Sequence, residues 1–166
     1  LVSFSLGTDT AGSGRVPASF QNLLGFKPTR GRLSCRGIVP ACRSLDCVSV
    51  FGLQTSDLVI IEKVLSVHDS RDPFSRKMPG LGSLKLREVP RVAILPPEQL
   101  EFFGDALAQD AYNESIEVLS RAGLNLEILD MSPFLEAAEL LYEGPWLAER
   151  HLATHPLIEQ SPESFQ

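Results

Sequence analysis

The run Gly7-Thr8-Asp9-Thr10-Ala11-Gly12-Ser13-Gly14-Arg15-Val16-Pro17-Ala18 constrains this chain more than any other stretch. It follows an apolar segment and sets one serine among residues too small to hold other groups away from the backbone. Glycine reaches dihedrals that a Cβ forbids. Successive N–H groups in such a loop can converge on one point and stabilise developing negative charge there. A serine at the edge of that nest suits acyl-transfer chemistry. A loop of this composition can also be a plain change of chain direction.

The pattern continues through Gly25-Phe26-Lys27-Pro28-Thr29-Arg30-Gly31, Gly37-Ile38-Val39-Pro40-Ala41 and Ser44-Leu45-Asp46. Together these stretches of residues 7–46 closely resemble the core of the amidase signature family. The resemblance implies an acylated nucleophile at Ser13 and an oxyanion hole from the backbone N–H groups of Thr10, Ala11 and Gly12. Ala11 stands where the family norm has a second glycine, and its added methyl leaves room for the nest. The family uses a serine–serine–lysine triad whose bridging serine and lysine lie upstream of the nucleophile. With Leu1 only twelve residues before Ser13, neither is expected in this chain. The start without methionine suggests an internal piece, truncated at both ends, and an unactivated serine is a weak nucleophile. The chain alone is therefore expected to be inactive.

Asp9 and Arg15 flank Ser13, but no histidine lies close in sequence to complete a Ser/His/Asp set; His68, His151 and His155 are all remote. Asp9 and Arg15 are read as braces of the loop, and Asp46 as a carboxylate bracing its own turn. Cys35, Cys42 and Cys47 form no CxxC pair and share no ligand spacing with the histidines, so inert reduced thiols are expected and zinc is not. No metal or cofactor is implied. A net charge of −6 argues against nucleic acid or an anionic membrane as partner. No apolar run approaches the roughly 20 residues of a membrane span. A cytoplasmic location is expected.

Alternating element types predict an α/β fold. A strand is expected over residues 2–6, a short helix over 17–23 with Pro17 near its start, and turns with short strands over 24–46. A buried strand over 48–53 precedes a helix capped by Thr55 or Ser56 and running to Val67. If the helix after Ser13 begins at Pro17, its amino end adds positive potential beside the serine. Residues 69–88 read as an extended crossing. The segment 91–130 reads strand–helix–strand, with Gly123 ending the helix and Leu124, Leu126 and Ile128 facing inward. Ser132 and Pro133 open a further helix, Ser132 as its cap, which Pro145 should kink or break. The resemblance implies a layered fold with a mixed sheet flanked by helices. The expected division is a signature core (1–68), a connection (69–90) and an αβ segment with a substrate-binding helix (91–166).

The stretch Leu141-Tyr142-Glu143-Gly144-Pro145-Trp146-Leu147-Ala148-Glu149-Arg150 resembles the substrate-binding part of the allophanate hydrolases, as does Val39–Ser49. The resemblance implies that Tyr142 and Arg150 hold a small anionic amide, allophanate. A guanidinium can grip a carboxylate through two parallel hydrogen bonds. Tyr142 and Trp146 suit core packing equally well, and Arg150 could pair with a glutamate on a wet face. Glu136, Glu139, Glu143 and Glu149 read as a solvated face. The resemblance further implies a link to a biotin-dependent urea carboxylase and a homo-oligomer at full length. The alternatives are an amidase of other specificity, an amidotransferase A-type subunit, and a non-catalytic fragment.

Overall fold

Val48-Ser49-Val50-Phe51-Gly52 forms β3, the strand on which the first part of the fold is built. Its β-branched residues suit a pleated, covered surface, and Val48, Ser49 and Val50 are all buried. The computed structural model describes residues 2–79 and 89–165. The chain divides into two units, one of residues 1–80 with 140–166 and the other of residues 81–139.

In the first unit β3 lies between β1 (Ser5–Thr8) and β2 (Leu24–Phe26), antiparallel to both. Val50 sits opposite Leu6 on one side and Phe26 on the other. The helix α1 (Val16–Phe20) leads into β2, and α2 (Thr55–Leu65) follows β3. Leu33, Val48, Val50 and Leu58 make the core, with Phe26, Cys35, Ile38, Ile61 and Leu65 packed around it. Burying a side chain of this size contributes about 1.5–3 kcal/mol. The strand expected over 2–6 starts later, at Ser5, because only Ser5–Thr8 finds a partner on β3. Helix α2 is capped from Gln54, without a side-chain cap bond, rather than by Thr55 or Ser56.

The core also encloses a charge pair. Glu62 on α2 and Arg32 are both buried, and Arg32 Nε donates to Glu62 Oε1. Arg32 Nη1 donates to the carbonyl of Pro79 at 2.8 Å, and Ser66 Oγ to Glu62 Oε1 at 2.5 Å. Burial pushes the Glu62 pKa up, but the hydrogen bonds from Ser66 and Arg32 and the Arg32 charge outweigh it, leaving it below the usual carboxylate range. Asp72 secures the segment after α2, accepting from Cys35 N at 2.8 Å, Ser34 Oγ at 2.9 Å and Phe74 N at 2.9 Å. Residues 80–88 of the expected crossing lie outside the described residues.

In the second unit β4 (Arg91–Ile94) and β5 (Asn125–Ile128) pair in parallel, joined through α3 (Ala106–Arg121). Asp105 caps α3 by accepting from Ala108 N at 3.0 Å, and Gly123, with φ of 78°, follows its end. Ile128 shares its face of β5 with the half-covered Leu126 but is itself uncovered, with 68% exposed. The described residues hold two small sheets, one antiparallel and one parallel, as parts of the expected layered α/β fold. Helix α4 (Ser132–Glu143) starts under Asp130, not under a Ser132 cap. The Asp130 carboxylate accepts from Ser132 N at 2.9 Å and from Ser132 Oγ at 2.7 Å. The helix stops at Gly144-Pro145, and α5 (Trp146–Gln160) begins anew. Among the described residues no helix is long and apolar enough to cross a membrane.

Candidate active site

The serine loop is held from below by one buried carboxylate. Asp9 is fully covered. Its Oδ1 accepts from Gly12 N at 2.6 Å and Arg15 Nη2 at 3.0 Å, and its Oδ2 from Arg15 Nε at 2.8 Å. The Arg15 hydrogen bond, aided by the Gly12 N–H and opposed by burial, keeps the Asp9 pKa below the usual carboxylate range. Thr10 Oγ1 donates to Asp46 Oδ1 at 2.6 Å. Asp46 also accepts from the backbone N–H groups of Ala41 and Cys42, each at 3.1 Å, which ties the serine loop to the turn at 41–46.

Between these anchors Ser13 is exposed while Gly12 and Gly14 are buried. Gly12 has φ of 128°, a conformation glycine alone adopts without strain. Gly14 lies against β3: a Cβ placed there would stand 2.1 Å from Ser49 Oγ and 2.7 Å from Ser49 Cβ. Gly14→Ala is accordingly expected to lift the loop and cost about 1–3 kcal/mol, the usual penalty of overpacking. Thermal denaturation of the full-length protein reads this, and Ser49→Gly in the same chain should restore part of the lost Tm.

The three expected oxyanion donors differ in their engagement. The Gly12 N–H is given to Asp9. Among the described residues, no hydrogen bond engages the N–H of Thr10, Ala11 or Ser13. The N–H groups of Arg15 and Val16 donate to the carbonyl of Gly12 at 2.9 and 2.8 Å, not toward the serine. The expected helix potential is correspondingly small, since α1 has only five residues.

Ser13 opens into a hollow of about 430 Å³ lined by Ala11, Gly12, Val16, Pro17 and Tyr142. Arg150 lines a second hollow of about 380 Å³ with Pro40, Ala41, Leu147, His151 and Thr154. The break at Gly144-Pro145 gives Tyr142 and Arg150 to different helices, and each faces a different hollow. A larger hollow of about 890 Å³, lined by Leu6, Leu33, Val48, Val64 and Leu65 among others, does not include Ser13.

Glu149 is not on a solvated face. It is half-buried, and its carboxylate accepts from Ser44 N and Ser44 Oγ, each at 2.6 Å. Helical periodicity gives no sign of this contact, because the partners lie 105 residues apart. Glu136, Glu139 and Glu143 are exposed. The three cysteines are free thiols, and burial pushes the pKa of each above the ordinary thiol value. A raised pKa leaves little thiolate, and hence little nucleophile, at neutral pH.

Ser13 is exposed, and of the three expected donors only the Gly12 N–H is engaged. The Amidase family model matches residues 1–163, and the chain belongs to that family. Two relatives are urea amidolyases. That of Lachancea kluyveri is 44% identical over 164 residues, covering 98% of this chain and 9% of the relative. That of Saccharomyces cerevisiae is 42% identical over 163 residues, with the same coverage. The solved allophanate hydrolase of Kluyveromyces lactis is similar in structure, with a TM-score of 0.90 and 44% identity over 97% of this chain and 26% of that one. The chain thus spans about a tenth of the urea amidolyases and about a quarter of the allophanate hydrolase.

Proposed function

We propose that the full-length protein hydrolyses a small linear amide through an acyl-enzyme on Ser13, and that its substrate is allophanate. The observation that carries this reading is the exposed Ser13 hydroxyl beside the unengaged N–H groups of Thr10 and Ala11. The 42–44% identity to urea amidolyases and an allophanate hydrolase supports the choice of substrate.

A general base takes the proton from Ser13 Oγ, and the oxygen attacks the terminal amide carbon. The oxyanion accepts from the N–H groups of Thr10 and Ala11. Each such donor is worth ~3 kcal/mol in the transition state. The Gly12 N–H contributes indirectly, because its bond to Asp9 fixes the loop. Ammonia leaves as the tetrahedral intermediate collapses, and water then releases the acyl group. The dicarboxylated amine so formed decomposes to carbon dioxide and ammonia. Tyr142, on the Ser13 hollow, is assigned the amide end through its phenol, and Arg150, which lines a separate hollow, is assigned the carboxylate end through paired hydrogen bonds. No step requires a metal or cofactor.

Allophanate is the carboxylation product of urea, so the partner reaction is a biotin-dependent urea carboxylase, on the same or a separate polypeptide. The relatives named urea amidolyase support this pairing. Three free thiols fit a reducing compartment, the cytoplasm.

Arg150→Lys in the full-length enzyme tests the carboxylate grip. Lysine keeps the charge but loses the planar fork. KM for allophanate should rise about tenfold, equivalent to 1.4 kcal/mol, while KM for neutral propionamide stays unchanged. An unaltered KM for allophanate would remove Arg150 from the substrate site.

A further inference from the structure

We infer that Glu149 is a positioning residue that sets the width of the Arg150 hollow and thereby the enzyme's preference for an anionic amide. This rests on the allophanate reading and assigns a role to a residue outside the reacting groups.

The Arg150 hollow has two walls. Pro40 and Ala41 form one, and Leu147, Arg150, His151 and Thr154 of α5 form the other. Glu149 leaves the α5 wall and binds Ser44, three residues after Ala41, with both carboxylate oxygens. A charge-assisted, two-point contact of this kind fixes direction as well as distance. Ser44 sits in a tight turn closed by bonds from Leu45 N and Asp46 N to the Cys42 carbonyl, at 2.9 and 2.7 Å. Asp46, ending that turn, carries the bonds to Ala41 N and Thr10 Oγ1. The contact therefore joins α5 to the turn whose Asp46 holds Thr10 in the loop of Ser13.

Glu149 and Arg150 are adjacent on α5, and adjacent helix positions do not face each other. With both oxygens spent on Ser44, the carboxylate is held elsewhere, and among the described residues no ion pair engages the Arg150 guanidinium. A helix anchor of purely structural value would affect all substrates alike. A spacer of the carboxylate hollow would affect anionic ones selectively.

The test uses the full-length protein and two readouts. The first is KM and kcat for allophanate and for neutral propionamide. The second is the Kd of malonamate, with a methylene in place of the central N–H, measured by calorimetry in a Ser13→Ala background. Glu149→Ala should raise KM for allophanate and Kd for malonamate about tenfold, with kcat within about twofold and propionamide unaffected. Glu149→Gln keeps an acceptor for Ser44 N–H and should recover most of the loss. Should Glu149→Ala fail to fold, Ser44→Ala, which deletes one hydroxyl, must give a smaller shift in the same direction. Equal losses on both amides, or an unchanged Kd for malonamate, would overturn the inference. A wild type that binds malonamate in a Glu149-dependent way but does not cleave allophanate overturns the substrate reading alone. A wild type that binds no malonamate overturns both.

Discussion

Ser13→Ala in the full-length enzyme is expected to lower kcat by about 10⁴-fold or more, the scale seen when a catalytic unit loses its nucleophile. Among the described residues the hollow holds no substitute nucleophile. The hollow around Ser13 offers otherwise Ala11, Gly12, Val16, Pro17 and the phenol of Tyr142. A phenol is a poor nucleophile without a base of its own. Thr10, the nearest other hydroxyl in sequence, already donates to Asp46. The folded state should be indifferent to the change, because Ser13 is exposed, and among the described residues its hydroxyl makes no hydrogen bond. A collapsed kcat with an unchanged Tm is the expected signature. A Tm falling in parallel with kcat would point to a loop that needs the hydroxyl for its shape.

The second large effect concerns stability. Glu62→Ala in the full-length protein is expected to cost about 3–5 kcal/mol, because it leaves the Arg32 charge buried without its counterion. Only the Pro79 carbonyl would remain to Arg32 as a described partner. Replacing both partners, as Arg32→Met with Glu62→Leu, should recover much of the loss, since the desolvation penalty disappears with the charges. Acid gives a second handle with a definite sign. The folded-state pKa of Glu62 lies below its ordinary value, so its contribution is fully present above that value. It is lost as pH falls through the lowered folded-state pKa, where the unfolded chain has already bound the extra proton. Denaturant titrations should therefore show the wild type losing its advantage over the double variant as pH drops through the acid range.

Local chemistry accounts for what the sequence made legible. The small-residue run places its serine on the surface because Asp9, Arg15 and Gly12 close the loop within a few residues. Val48–Gly52 reads as a buried strand because it is one, covered by neighbours on both sides. Pro145 ends α4 because it has no N–H to continue the helix. The features that escaped are long-range or depend on competition for a single group. Glu149 carries no sign of Ser44 across 105 residues, and the use of the Gly12 N–H by Asp9 depends on loop geometry that composition does not specify. Asp130 took the capping role assigned to Ser132 because its carboxylate accepts from that residue's N–H and hydroxyl together. Ile128 follows the alternation of a buried strand yet stands exposed, since periodicity marks a face without saying what covers it.

Trapping the acyl-enzyme shows which residue is the nucleophile. Full-length enzyme mixed with allophanate, quenched in acid within a turnover and digested, should yield one acylated peptide, the one bearing Ser13, and Ser13→Ala should abolish that adduct. An adduct on any other residue, or steady turnover by the Ser13→Ala enzyme, would contradict the account.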